Sequence, residues 1–249
     1  MVIEVDLEFL ARDAGKAVDR GDLIIVIDVL RSGTSILNAL TNGAQAVLPA
    51  MSLEEAYKLR SKHPEYLLAG ERGGHKPAGF DMGNSPLEFT RGRVEGKTIV
   101  ATTTSGTVAL VKSNQAKWVL IGVFLNALAA ARKAEEIAAR EIIGVSFVLS
   151  GEKGKFSLED FLCAGAIANR FATGKVHFSD KVQAALLAFK QVEHDLTRNV
   201  MKARHAEHLV QLGFKGDVDF SCSLNLFQTV PICADGKITL HQQTAPGSL

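Results

Sequence analysis

Residues 23–31 read Leu23-Ile24-Ile25-Val26-Ile27-Asp28-Val29-Leu30-Arg31, a continuous apolar run that ends in a carboxylate and a guanidinium. A strand with one wet face alternates apolar and polar residues. A strand covered on both faces does not, and such strands belong mostly to parallel α/β sheets. Arg31-Ser32-Gly33-Thr34-Ser35 follows, and Ile36, Leu37, Ala39 and Leu40 then recur at helical spacing until Asn42-Gly43 stops the helix. Strand, polar turn and helix in this order form the unit from which the rest of the chain is built.

The unit repeats outward. Ala46 to Pro49 reads as a short strand, and Ser52-Leu53-Glu54-Glu55 is a capping-box signature opening a helix to about Lys62. Lys97 to Thr104 is rich in β-branched residues and reads as a strand. Ser105-Gly106-Thr107 turns it into a helix carrying Val108, Leu110 and Val111. Trp118 to Gly122 is another buried strand, after which Asn126 is expected to cap an alanine-rich helix to about Arg140. Ile142 to Leu149 is the next strand, Gly151 to Phe156 a polar loop, and Ser157 opens a helix through Phe171. Alternation of this kind predicts a three-layer α/β/α fold with a mostly parallel sheet over residues 1–175. Residues 176–249 are expected to form a smaller C-terminal α/β portion packed on it, or part of one continuous domain. It would hold helices at about Ser179 to His194 and Leu196 to Leu212, and a strand at Gly236 to Leu240.

One stretch breaks the pattern. Ala69 to Arg91, AGERGGHKPAGFDMGNSPLEFTR, has neither a helical nor a strand period. A compact domain rarely carries so long a loop unless it binds or covers something. Phe80, Met82, Leu87 and Phe89 are its expected anchors to the core.

The totals narrow the function classes. The chain has 249 residues, 47% hydrophobic and 22% charged, which suits a globular protein with a real core. A net charge of +1 gives no electrostatic footprint for nucleic acid or an anionic membrane. No apolar run approaches bilayer-spanning length, and the opening residues lack a basic-then-apolar leader pattern. Cys163, Cys222 and Cys233 form neither a disulfide framework nor a zinc motif, so a reducing cytoplasm is the expected setting.

In an open parallel sheet ligands collect beyond the carboxyl ends of the strands. Three such ends are polar here: Asp28 with Arg31 to Ser35, Thr102 to Thr107, and Gly151 to Asp160. The first two open helices, whose free N–H groups suit a phosphate. Arg31, Arg72 and Lys155 can balance an anion, and Asp28, Glu71, Asp81, Glu159 and Asp160 can bind a hard cation such as Mg2+. Bland readings compete at each position. Asp160, three after Ser157, fits a capping box, and Glu159 fits a favourable charge in a first helical turn.

Other motifs fail on spacing. Asp28-Val29-Leu30 lacks the second aspartate of an aspartyl-phosphate strand, and neither GxxxxGK[ST] nor GxGxxG occurs. Cys163 and Arg170 have the wrong offset for a phosphate-cradling cysteine loop, so Cys163 reads as core. His205 and His208 lie one helical turn apart and read as a solvated helix face.

Laid out together, these blocks resemble the 2-phosphosulfolactate phosphatase family from about Leu23 to Leu240. The blocks are Val26 to Arg31, Gly70 to Gly74, Gly79 to Pro86, Thr102-Thr103-Thr104 with Gly106-Thr107, and Phe156 to Gly165. Two loops depart from the usual family pattern while staying small and polar. Thr104-Ser105-Gly106-Thr107 stands where the family usually has Thr-Asn-Gly-Thr, and Ser32 to Ser35 stand where it has alanine and threonines.

The resemblance implies a Mg2+-dependent α/β hydrolase that removes phosphate from (2R)-2-phospho-3-sulfolactate, a step of coenzyme M synthesis in some organisms. Asp28, Arg31, Glu71, Arg72, Asp81 and Asn84 are the expected catalytic residues. Thr104, Ser105, Gly106, Thr107 and Ser35 are expected to bind substrate. Asp28, Asp81, Glu159 and Asp160 are the expected metal ligands. The expected partner is a small anionic phospho-sulfonate, with no nucleic acid or membrane, and a homodimer is the commonest closed assembly. The alternatives are a phosphomonoesterase for another small phosphorylated acid and a non-catalytic phospho-sulfonate binder.

Overall fold

The computed structural model describes residues 2–104, 106–172 and 174–240. Their strands are β1 (Ile3–Glu8), β2 (Leu23–Ile27), β3 (Ala46–Pro49), β4 (Leu67–Gly70), β5 (Thr98–Thr102), β6 (Val119–Ile121), β7 (Val145–Leu149), β8 (Val176–Phe178), β9 (Ile232–Ala234) and β10 (Lys237–Thr239). They form one sheet in the order β4-β5-β3-β10-β9-β6-β2-β7-β1-β8, flanked by helices. The fold is α/β with a mostly parallel sheet.

Strand β2 lies inside the sheet, between β6 and β7, and all its residues are buried. Its side chains divide by parity. Leu23, Ile25 and Ile27 join the core under helices Ala127–Glu141, Leu158–Ala168 and Asp180–Val192. Ile24 and Val26 join the opposite core, under helices Ala14–Asp19, Ser32–Thr41 and Gly106–Ser113. Two covered faces are the physical reason the strand carries no polar alternation.

The sheet has two parallel blocks. Strands β4, β5 and β3 make one, and β6, β2, β7, β1 and β8 make the other. Between them sits the antiparallel hairpin β9–β10, so the blocks run in opposite senses. Its joints are short: a single residue pair, Ile238 with Val47, on one side, and two pairs, Val119 with Cys233 and Leu120 with Ile232, on the other. Residues from both blocks nevertheless line one cavity. The segment after residue 175 thus supplies an edge strand, β8, and the hairpin at the middle of the sheet.

Three local expectations change. Asn126 does not cap the helix after it. Its Oδ1 accepts the Val123 amide at 2.9 Å and its Nδ2 donates to the Ile121 and Thr229 carbonyls at 3.1 Å, which ties β6 to the approach to β9. The second C-terminal helix is broken into Leu196–Val200 and Arg204–Gln211, and a further helix, Lys215–Ser221, follows. Strands β1, β4, β8 and β9 are additions to the sequence reading. Among the described residues no helix is long and apolar enough to cross a membrane.

Candidate active site

The turn after β2 is built around Asp28. Its Oδ1 accepts the Ser32 amide at 3.1 Å, its carbonyl accepts the Gly33 amide at 2.9 Å, and the Thr34 hydroxyl donates to the Val29 carbonyl at 2.8 Å. The carboxylate therefore closes the amino end of helix Ser32–Thr41, where negative charge is favoured. Helix Gly106–Ser113 arrives from the other block at the same point. A Cβ on Gly106 would lie 2.3 Å from Asp28 Oδ2 and 2.6 Å from Ser32 Cβ, so only glycine permits this approach.

Four strand ends meet here. A cavity of about 510 Å³, including its open mouth, is lined by Asp28 and Ser32 after β2 and by Glu71, Gly73 and Gly74 after β4. Thr103, Thr104 and Gly106 line it after β5, and Gly151, Glu152 and Lys153 after β7. Leu30, Arg31, Asn84, His205, His208 and Leu209 complete it.

Each wall is fixed by its own hydrogen bonds. Glu71 Oε1 accepts both the amide and the hydroxyl of Thr104 at 2.8 Å, and its Oε2 accepts the Gly74 amide at 2.8 Å. Burial pushes the Glu71 carboxyl up, but these donors outweigh it and hold its pKa below the ordinary value. Thr103 and Thr107 cap one another: the Thr103 amide donates to Thr107 Oγ1 at 3.0 Å and the Thr107 amide to Thr103 Oγ1 at 3.2 Å. The Ser35 hydroxyl donates to the Asn84 carbonyl at 2.8 Å. Among the described residues no hydrogen bond occupies the Asn84 side-chain amide, which faces the same cavity.

Asp160 lies beneath the floor. Ser157 caps its helix by accepting the Asp160 amide, yet the Asp160 carboxylate does not return to Ser157 as a capping box would. Its Oδ1 accepts the Val29 amide at 2.9 Å and its Oδ2 the Gly151 amide at 3.0 Å, which joins the ends of β2 and β7. Glu159 is also buried. Burial, with Glu159 and Glu71 nearby, pushes Asp28 up to about 7. Burial likewise raises Asp160, beside Asp28 and Glu159, and raises Glu159.

The expected site residues separate into groups. Asp28, Arg31, Glu71, Asn84, Thr104 and Gly106 line the cavity. Thr107 and Ser35 hold its walls from behind. Arg72 stands back as well, donating to the Glu71 carbonyl at 2.7 Å and to Thr102 Oγ1 at 2.9 Å. Asp81 sits apart: its Oδ2 takes Arg60 Nη1 and the Leu68 amide, each at 2.7 Å, and it stitches the long loop to β4. Lys155 lies off the cavity, on an adjoining groove that Glu159 also lines. Ser105 is outside the described residues. Of the loop anchors Phe80, Met82 and Phe89 are buried, while Leu87 is exposed.

Sequence reasoning missed the opposite wall. His205 and His208 line the cavity instead of solvent. His205 Nδ1 is buried 3.5 Å from Glu152 Oε1, and burial lowers its pKa against the pull of that carboxylate. Helical spacing had placed the two rings on one face. What that face meets depends on a contact with the far end of the sheet.

The donor set suits Mg2+ held partly by substrate. Among the described residues no three His, Cys, Asp or Glu side chains converge as a ready-made metal cage. Mg2+ does not need one, because it keeps waters and takes one or two carboxylates together with substrate phosphate oxygens. Asp28 supplies a buried carboxylate whose Oδ2 has no hydrogen bond among the described residues, on a floor crowded with like charge. A cation held there would offset that repulsion.

An α/β sheet whose strand ends bring two helix amino termini, a buried carboxylate and a guanidinium to one cavity has the chemistry of a site for a small anion. The chain belongs to the 2-phosphosulpholactate phosphatase family, whose model matches residues 10–236. A probable 2-phosphosulfolactate phosphatase of Thermotoga petrophila is 39% identical over 88% of this chain and 92% of its own. Those of Clostridium novyi and Clostridium beijerinckii are 36% and 34% identical, each over 95% of this chain and 100% and 99% of their own. The family is one of phosphoric monoester hydrolases.

Proposed function

We propose that the protein is a Mg2+-dependent phosphatase that hydrolyses (2R)-2-phospho-3-sulfolactate to (2R)-3-sulfolactate and phosphate. The observation that carries this is the convergence of four strand ends on one cavity with Asp28 at its floor. Family membership supplies the substrate class.

The phosphoryl group would lie in the cavity above Asp28, which the amino ends of helices Ser32–Thr41 and Gly106–Ser113 border and where helix dipoles favour an anion. Mg2+ held by Asp28 would polarise the phosphoryl oxygens. Arg31 and Lys153 supply fixed positive charge, and the Asn84 amide and the two imidazoles supply hydrogen bonds to the rest of the acid. Water forms a new P–O bond as the ester P–O bond breaks, and the proton that the water loses balances the one taken up by the departing C2 oxygen. Positioning and charge stabilisation are most of what phosphoryl transfer asks of a protein.

The test is phosphate release from 2-phosphosulfolactate by purified protein with Mg2+ and then with EDTA. Release that EDTA abolishes and Mg2+ restores is the expected result. Folded, metal-supplied protein that releases none, while releasing phosphate from another phosphorylated acid, overturns the substrate assignment.

A further inference from the structure

Arg31 is a buried guanidinium at the cavity wall, and its partner comes from the far end of the chain. Its Nη1 donates to Asp217 Oδ2 at 2.7 Å, and both side chains are almost completely buried. The other Asp217 oxygen, Oδ1, accepts the Ser85 hydroxyl at 2.6 Å. Arg31 Nη2 donates to the Gly74 carbonyl at 3.2 Å, and the Phe214 ring lies 4.3 Å from the guanidinium carbon. Asp217 is thus gripped by the loop after β4 on one side and grips the turn after β2 on the other.

A buried guanidinium without a carboxylate is costly, and a long flexible side chain without a fixed partner is poorly aimed. Two of the five Arg31 N–H groups are taken up by Asp217 and Gly74. Among the described residues the others have no hydrogen bond, and Arg31 lines the cavity. We propose that Asp217 is a positioning residue, which with Ser85 locks Arg31 in the orientation that binds the anionic substrate. The proposal rests on the phosphatase reading for its substrate, but its geometry stands on the Arg31–Asp217–Ser85 contacts alone.

The experiment compares wild type with Asp217→Ala, Asp217→Asn and Ser85→Ala. Kinetics on 2-phosphosulfolactate are measured with Mg2+, inorganic phosphate binding is measured by calorimetry, and the folded fraction is checked by circular dichroism. Asparagine can keep both contacts, its carbonyl toward Arg31 and its amide toward Ser85. Positioning therefore predicts a graded series: KM and the phosphate Kd rise about tenfold or more in Asp217→Ala and less in Asp217→Asn and Ser85→Ala. A purely structural role lowers Tm but leaves KM and Kd of the folded protein at wild-type values, and that result overturns the proposal. If Asp217→Ala does not fold, Ser85→Ala decides, because it keeps the ion pair and removes only the second tether. An unchanged KM and Kd there also overturns it. Wild type that binds phosphate without turnover, with the graded loss in the variants, sinks the phosphatase reading and leaves the positioning role standing. Wild type that neither binds phosphate nor turns over overturns both.

Discussion

A β-carbon placed on Gly106 would stand 2.3 Å from Asp28 Oδ2, although the two residues belong to blocks of the sheet that run in opposite directions. The floor of the cavity is therefore a close contact between two helix amino ends, with no side chain between them. Gly106→Ala forces either the Asp28 carboxylate or the helix start to move. The expected outcome is at least a tenfold loss of kcat/KM with a folded protein. Gly15→Ala is the control: nothing lies within 4 Å of its β-carbon and its backbone needs no left-handed φ. It should leave turnover unchanged and stabilise the fold by about 0.4–1 kcal/mol in thermal unfolding.

Asp28 and Asp81 began as equal candidates for metal and catalysis, and their placement separates them. Asp28 faces the cavity from a fully buried turn, whereas Asp81 is a third exposed and paired with Arg60. Asp28→Asn should lower turnover about a hundredfold or more while the protein stays folded. Asp81→Asn should lose about 1 kcal/mol or less from a half-exposed ion pair and keep turnover within threefold. Steady-state kinetics on both variants checks the pair, and comparable losses would return Asp81 to the site.

Asp160 has a different task. Its two carboxylate oxygens accept one amide from each of two neighbouring strand ends, Val29 and Gly151. Asp160→Ala leaves both amides without an acceptor, at about 1–3 kcal/mol for the buried Val29 amide and less for the half-buried Gly151 amide. Urea unfolding should show that loss. Asp160→Asn, which can still accept one amide, should show roughly half of it.

The parts of this protein legible in sequence are those set by local patterns. The apolar run at Leu23 to Ile27 is a doubly covered strand, and Ser52 and Ser157 cap the helices they precede. Asp28, Glu71 and Thr104 stand just past strand ends, where the sequence shows polar breaks after apolar runs, but that β2 shares a cavity with β4 and β5 of the opposed block does not follow from those breaks. What was not legible depends on tertiary contact. Asn126 is a good helix cap by type, but a buried site with three backbone partners wins it. Nothing local to Asp217 marks it as the partner of a residue 186 positions earlier in the chain. His205 looks like a surface residue until its helix is laid over the cavity mouth. The hairpin β9–β10 is short, and its place between the blocks is a property of the sheet rather than of its own residues.

The floor carboxylates also set a pH dependence. Burial raises Asp28 to about 7 and raises Glu159 and Asp160 above their ordinary values. Between the ordinary carboxylate range and about pH 7 these three carboxyls therefore hold more protons in the folded protein than in the unfolded chain, and together they outnumber His205, whose lowered pKa acts in the opposite direction. Stability follows the difference in bound protons, so it falls as pH rises through that window. Glu71 has the opposite sign, since its lowered pKa contributes stability that is lost only as pH drops below the ordinary range. Metal-free protein should accordingly unfold at a lower temperature at pH 7.5 than at pH 5.5. The proposed Mg2+ would favour the ionised floor, so it should raise Tm more at pH 7.5 than at pH 5.5. In Asp28→Asn both the slope and the Mg2+ effect should shrink. Differential scanning calorimetry at the two pH values, with and without Mg2+, measures all of these. A metal-free Tm that rises between pH 5.5 and 7.5 would show that the floor carboxylates are ionised and compensated by some other group.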